Sequence, residues 1–153
     1  MIFVRFAILL GLLGVVAPVA ADSPPATATP ATSALPRTPS PAGARVYFIA
    51  PKDGEHIKGD VVVRFGLSGM GVAPAGIKFD NSGHHHLLVD TELPPMDQPL
   101  GKDDHHLHFG GGQTETTLKL APGKHTLQLL LADYLHQPHE PAVVSERITI
   151  TVE

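Results

Sequence analysis

The sequence predicts an all-β domain, an immunoglobulin-like sandwich of about seven short antiparallel strands. Three observations lead to this fold class: apolar and polar residues alternate in several short runs, Pro and Gly turns separate the runs, and no segment has a helical period. The chain has no Cys and no Trp, so it lacks the Cys–Trp–Cys signature of true immunoglobulin domains. The fold prediction therefore depends on the pattern of strands and turns.

The first 21 residues have the features of a secretory signal peptide. Arg5 is the only charged residue before Asp22, an apolar run extends from Phe6 to Val16, and small residues lead up to Ala21. The apolar run is roughly half of the ~20 residues that a membrane-spanning helix needs. No second apolar stretch follows it. We therefore expect cleavage after Ala21, a periplasmic or secreted protein, and no membrane span after cleavage.

Residues 22–44 form a predicted disordered linker. They are mostly Pro, Ala, Ser and Thr, with Leu35 as the only large apolar residue. A segment of this composition cannot bury enough apolar surface to offset the entropy lost on ordering, and its prolines favour extended conformations. The remaining residues, 45–153, have the size of one domain with one core.

The first four predicted strands are short runs between turn-forming residues. Val46–Ile49 is apolar and is followed by a turn at Pro51–Gly54. Val61–Leu67 alternates between apolar and polar residues and precedes a Gly-rich loop. His84–Asp90 and His105–Phe109 flank a long loop that contains three prolines.

The last three predicted strands follow the glycines Gly110–Gly112. These glycines predict a turn that needs positive φ, because the GK[ST] sequence and the helix of a phosphate-binding loop are both missing. Thr114–Leu120 alternates and ends near the tight turn at Pro122–Gly123. The sixth strand has Leu127, Leu129 and Leu131 on one face, and Val143–Val152 closes the domain.

Charge and cysteine content limit the possible partners. The formal charge of the chain is −4, and loss of the single cation Arg5 with the signal peptide makes it −5. This acidic balance argues against nucleic acid or an anionic membrane as a partner. The absence of Cys excludes disulfides, Fe–S clusters and thiolate metal sites. A metal ion and another periplasmic protein remain as expected partners.

All ten histidines lie in the predicted domain, and two strands carry a His-x-His pair. Alternation places His84 and His86 on one face of the third strand, with His85 on the other face. His106 and His108 share a face of the fourth strand in the same way. Alternate residues of a strand have Cα atoms ~6–7 Å apart, a separation from which two imidazoles can bind one ion at ~2.0–2.1 Å. The predicted metal ligands are therefore His84, His86, His106 and His108.

Sandwich topology adds secondary candidates. The start of the third strand, the end of the fourth and the loop after the sixth fall at one end of such a fold. His56 and His125 are expected at the opposite end, as surface or packing residues. Asp103 and Asp104 are candidate hydrogen-bond acceptors for ligand rings, and Asp90 is a candidate ligand or orienting group. The secondary ligand candidates are His85, His105, Asp133, His136 and His139.

Imidazole-only ligation in an exported protein favours Cu(II) or Zn(II). The sequence thus favours a non-catalytic carrier or buffer of copper or zinc. An alternative is an immunoglobulin-like module that binds proteins or glycans and has structural or pH-sensing histidines. A third is a metalloenzyme, since three His ligands and an open water position make a zinc-hydroxide catalyst. No paired general base is visible in the sequence, and no G-x-S-x-G motif supports Ser-His-Asp catalysis.

Several motifs are spread over most of the domain: Pro51–Gly54, Ala75-Gly76, Gly83–Asp90, His106–Gly110, Gly112–Glu115, Pro122–Leu127 and Ser145-Glu146. Through these motifs, the run from Val46 to Glu153 resembles a bacterial periplasmic family catalogued as domain of unknown function 4399. The resemblance implies the identity of the domain and its export, and it implies no mechanism. It also places His125 within the pattern of the family.

Overall fold

The computed structural model describes residues 36–153, in which all regular secondary structure is β-strand. The predicted signal peptide and residues 22–35 of the predicted linker lie outside the described residues. Within residues 36–153, no helix is long and apolar enough to cross a membrane. The strands are β1 (Arg45–Ala50), β2 (His56–Ile57), β3 (Val61–Ser68), β4 (Gly71–Val72), β5 (Ser82–Val89), β6 (His106–His108), β7 (Glu115–Leu118), β8 (Gly123–Ala132) and β9 (Ile148–Val152).

These strands form two sheets. The smaller sheet has the order β1-β3-β7, and the larger has the order β2-β9-β8-β5-β4, with β6 paired to β5. The prediction of an all-β domain is confirmed, and each of the seven predicted strands overlaps a strand of the structure. The two-residue strands β2 and β4 were not predicted, and both add to the larger sheet in parallel orientation.

The core consists of the apolar faces that alternation predicts. Val61, Val63 and Phe65 of β3 are buried, as are Leu87 and Val89 of β5. Full burial of such a side chain stabilises the fold by about 1.5–3 kcal/mol. Further buried core residues are Leu127, Leu129, Leu131, Ile148, Ile150 and Val152.

Strand β5 is the most enclosed element of the domain. All eight of its residues are buried, so both of its faces are covered. It pairs with β8 in an unbroken antiparallel register from His84↔Ala132 to Val89↔Leu127, and its other edge pairs with β4 and β6. A side chain on β5 therefore has a position fixed by hydrogen bonds on both sides of its strand.

The packed unit begins before Arg45, the predicted start of the domain. Arg37 donates from Nε to the carbonyl oxygen of Pro138 at 3.0 Å and forms an ion pair with Glu140. Ser40 N donates to the carbonyl oxygen of Glu140 at 3.1 Å. Part of the predicted linker thus runs beside residues 138–141. Its composition does not reveal this, because backbone pairing needs no large apolar side chain.

His125 and His56 lie away from the start of β5. His125 Nδ1 is 2.6 Å from Oδ2 of Asp90, and its Nε2 is 2.8 Å from the carbonyl oxygen of Ala121. The hydrogen bond with the Asp90 carboxylate is the main cause of the raised pKa of His125. His56 is exposed and pairs with Glu153 at 3.0 Å. His125 therefore joins the end of β5 to the turn before β8.

Candidate metal site

Four imidazoles meet at the edge of the larger sheet. His84 and His86 come from β5, His108 from β6, and His136 from the turn after β8. Their ring centroids are between 4.7 and 6.1 Å apart for every pair. These four residues are called the His cluster below. Of the two histidines in the second His-x-His pair, His108 is therefore the one that lies beside His84 and His86.

The ring nitrogens of the His cluster face one another. The Nε2 atoms of His84 and His86 are 3.1 Å apart, and those of His108 and His136 are also 3.1 Å apart. One nitrogen from each of the three strand histidines lies within 4.8 Å of the other two. His84 and His86 are only 0% and 2% exposed, whereas His108 and His136 are half-buried. The His cluster is thus open to solvent on the side of His108 and His136.

Burial and mutual repulsion keep the imidazoles of His84, His86 and His108 neutral. Burial is the largest cause that lowers the pKa of His84 to about 4, followed by the repulsion that protonated His136 and His108 would exert. Burial is also the first cause that lowers the pKa of His86 to about 2, followed by repulsion from His84 and then from His108. Burial also lowers the pKa of His108, with smaller effects from His136 and Lys102. At pH 7 the strand imidazoles are therefore neutral, the form that binds metals.

The register of β5 and β6 decides which histidine of β6 joins the site. His108 is opposite His86, whereas His106 is opposite Leu88, farther from His84. The Nδ1 atom of His106 is instead 2.9 Å from Oδ1 of Asp103. Alternation placed His106 and His108 on one face, but only the pairing of the strands shows that His108 lies beside the β5 histidines.

The other secondary candidates lie outside the His cluster. His85 is on the opposite face of β5, in the core, with its ring centroid 5.1 Å from that of Phe65. His105 Nδ1 is 2.8 Å from the carbonyl oxygen of Val89. His139 is buried, and its Nδ1 is 3.2 Å from the carbonyl oxygen of Thr38.

Asp133 shapes the turn that carries His136. Its Oδ1 accepts hydrogen bonds from the backbone N–H groups of Leu135 at 2.9 Å and Gln137 at 3.0 Å. Its Oδ2 accepts a hydrogen bond from the Thr38 hydroxyl at 2.5 Å. Asp133, a predicted ligand candidate, thus holds the turn that positions His136.

Gly110 lies beneath the ring of His108. A Cβ atom at this position would be 2.3 Å from Cε1 and 2.5 Å from Nε2 of His108. Of the three consecutive glycines, Gly112 has the positive φ expected of a turn, at 82°. A turn alone was expected to explain all three glycines, so the role of Gly110 was not predicted. The spacing His108-x-Gly110 is the only sequence feature that points to it.

The family model described as "Domain of unknown function (DUF4399)" matches residues 63–153. No curated protein matches the chain. The matched range starts after the Pro51–Gly54 motif and contains the entire His cluster.

Two solved structures share low similarity with the chain. The endo-beta-1,4-mannanase from Thermotoga petrophila has a TM-score of 0.44 and 20% identity, and the match covers 72% of this chain and 20% of the mannanase chain. The fibronectin(III)-like modules of Clostridium thermocellum CbhA have a TM-score of 0.34 and 15% identity, with 70% and 92% of the two chains covered. This chain thus matches about a fifth of the length of the mannanase chain.

Neither of these similarities is high enough to bear on function. The family match is of a different kind, since it spans more than half of the chain and includes all four residues of the His cluster. The chain therefore belongs to the family described as domain of unknown function DUF4399.

Proposed function

We propose that this domain binds one transition-metal ion through His84, His86 and His108, as a carrier or buffer of copper or zinc. The observation that carries the proposal is the convergence of ring nitrogens from two adjacent strands within 4.8 Å. Two nitrogens bound to one ion at ~2.0–2.1 Å lie about 2.9 Å apart at a right angle and about 3.3 Å apart at the tetrahedral angle. The Nε2 separation of 3.1 Å between His84 and His86 lies between these values.

The donor set supports copper or zinc. Imidazole nitrogen is a good ligand for both ions, whereas Mg²⁺ and Ca²⁺ prefer oxygen. The 3.1 Å separation of the His84 and His86 nitrogens is compatible with the right angles of square-planar Cu(II) and with the tetrahedral angles of Zn(II). Copper and zinc are therefore both candidate ions for this site.

The protonation state of the site supports metal binding over pH sensing. A histidine that senses pH near neutrality needs a pKa close to ~6.5. The pKa of His84 is lowered to about 4, so this ring stays neutral throughout the physiological range. Neutral imidazoles also let a divalent ion bind without first displacing protons.

The number of imidazoles supports a role without catalysis. A catalytic zinc site has three protein ligands and an open position for water, whereas four protein ligands complete a tetrahedral site. The Nε2 atom of His136 is 3.1 Å from that of His108, so a fourth nitrogen is within reach. With four protein ligands, no coordination position remains for a catalytic water.

We further propose an immunoglobulin-like sandwich that is exported to the periplasm after cleavage of residues 1–21. Support for export comes from Arg5 and the apolar run Phe6–Val16. A site without thiolates suits an oxidising compartment, where cysteine ligands are prone to disulfide formation. Expression of the full chain in bacteria, followed by fractionation and N-terminal sequencing, tests this part, and a cytoplasmic chain that retains Arg5 contradicts it.

Titration with Cu(II) and Zn(II) by calorimetry tests metal binding. Protein lacking residues 1–21 is expected to bind one ion per chain with a Kd below ~10 μM, a free energy of about −7 kcal/mol or better. The His84→Ala/His86→Ala variant is expected to lose this binding, because it removes two of the buried nitrogens. His56→Ala is the matched control, since His56 is exposed and pairs only with Glu153 in the described structure. Weaker binding in the unmodified protein, or equal binding by the double variant, contradicts the proposal.

A further inference from the structure

The fourth member of the His cluster is attached differently from the other three. His84, His86 and His108 are on paired strands of the larger sheet. His136 lies in a turn between the end of β8 and an isolated bridge that pairs Pro138 with Ala132. Its ring is nevertheless close to the others, with its centroid 4.9 Å from that of His84 and 4.7 Å from that of His108.

The backbone at His136 has a left-handed conformation that residues other than Gly seldom adopt. Its φ is 65°, in the left-handed region that Gly and Asn adopt more readily. Unusual backbone conformations of this kind occur often at functional sites. A histidine at this position thus brings an imidazole to the His cluster at a cost to the backbone.

The turn keeps its shape without help from the imidazole of His136. The backbone N–H of His136 donates to the carbonyl oxygen of Asp133 at 2.9 Å, and the N–H of Asp133 donates to the carbonyl oxygen of Gln137 at 2.9 Å. The Asp133 carboxylate accepts from two further N–H groups of the turn. The carbonyl oxygen of His136 accepts from Leu100 N at 2.8 Å. All of these bonds remain if the side chain at position 136 changes.

We propose that His136 is the exchangeable ligand through which the metal ion enters and leaves, while His84, His86 and His108 hold it. This inference rests on the proposed metal site. His84 and His86 are buried on β5, which pairs with β8, so their rings can leave the metal only through a local opening of the domain. Release of His136 requires only rotation of a half-buried side chain at the open side of the His cluster, a far faster motion. An incoming ligand from a partner can then occupy the position that His136 vacates.

The variants His136→Gly and His136→Asn separate this role from a structural one, because both residues tolerate the left-handed backbone. Each variant is expected to bind one metal ion per chain and to lose it to excess chelator at least about tenfold faster than the unmodified protein. The midpoint of thermal unfolding without metal is expected to stay the same or to rise. Leu135→Ala is the matched control in the same turn, with a side chain that is 44% exposed, and it should release metal at the unmodified rate.

The outcomes distinguish this inference from the proposed function. If the unmodified protein binds neither Cu(II) nor Zn(II), the proposed function fails and the inference fails with it. If the unmodified protein binds metal and His136→Gly releases it at the same rate, the inference alone is overturned. The inference is also overturned if His136→Gly loses binding as completely as the His84→Ala/His86→Ala variant. A lower unfolding midpoint of metal-free His136→Asn overturns it as well, because the imidazole would then be needed for the fold.

Discussion

Replacing Gly110 by alanine is expected to weaken metal binding on the order of 10–100-fold, although Gly110 itself offers no ligand atom. The added methyl group would lie 2.3 Å from Cε1 of His108, so the ring must leave its place in the His cluster. His108 is one of the three strand ligands, and the loss of its position opens the coordination sphere. The free energy of unfolding without metal should change less than the free energy of metal binding, because the displaced His108 ring can move into solvent.

Gly111→Ala is the matched control for Gly110→Ala. A methyl group at position 111 meets the side-chain amide of Gln113 at 2.9 Å, and that flexible group can move aside. Competition titration with a chromogenic chelator measures the affinities of both variants, and urea unfolding measures their stabilities. Equal metal affinity of Gly110→Ala and the unmodified protein would contradict the placement of His108 in the metal site.

Acid is expected to unfold the metal-free protein as the pH falls from about 6.5 towards 4. In the unfolded chain a histidine has a pKa of ~6.5, whereas burial lowers the pKa of His84 and of His85 to about 4 in the folded domain. Each of these neutral rings therefore contributes up to about 3 kcal/mol above pH 6.5, and this contribution is lost as the pH falls through the folded pKa. The two contributions together are a large part of the 5–15 kcal/mol that is the typical free energy of unfolding of a domain. We therefore expect the metal-free protein to unfold at about pH 4–5.

Two comparisons test this acid sensitivity by circular dichroism. A bound metal ion should move the midpoint to lower pH, because protonation of His84 then requires release of the ion. His85→Leu should also move the midpoint to lower pH without metal, since His85 lies in the core and neither of its ring nitrogens has a hydrogen-bond partner among residues 36–153. His56→Ala should leave the midpoint where it is. An unmodified protein that remains folded at pH 3 would show that the buried histidines do not control stability.

Alternation along the chain predicted the faces of the strands correctly. It placed Leu87 and Val89 in the core and His84 and His86 together on the other face, as the structure shows. Side-chain direction in a strand has a period of two, so the order of residues is sufficient to predict it. The all-β class followed from the same alternation and from the turns between the runs.

The sequence pattern could not predict how the strands pair. The choice between His106 and His108 depends on the register of β5 and β6, which hydrogen bonds across the sheet determine. The expected topology made His136 a secondary candidate, but its place in the His cluster depends on a turn whose N–H groups donate to the Asp133 carboxylate. Gly110 was missed because the requirement for a glycine there comes from the ring of His108, and a sequence motif does not show that contact.

A crystal structure of the copper- or zinc-loaded protein, with anomalous data collected at the absorption edge of the metal, locates the bound ion. We expect one ion per chain within ~2.0–2.2 Å of a ring nitrogen of His84, His86 and His108, with His136 as the fourth ligand. An anomalous peak at His106 and Asp103 or at a surface residue such as His56, with none in the His cluster, would contradict it.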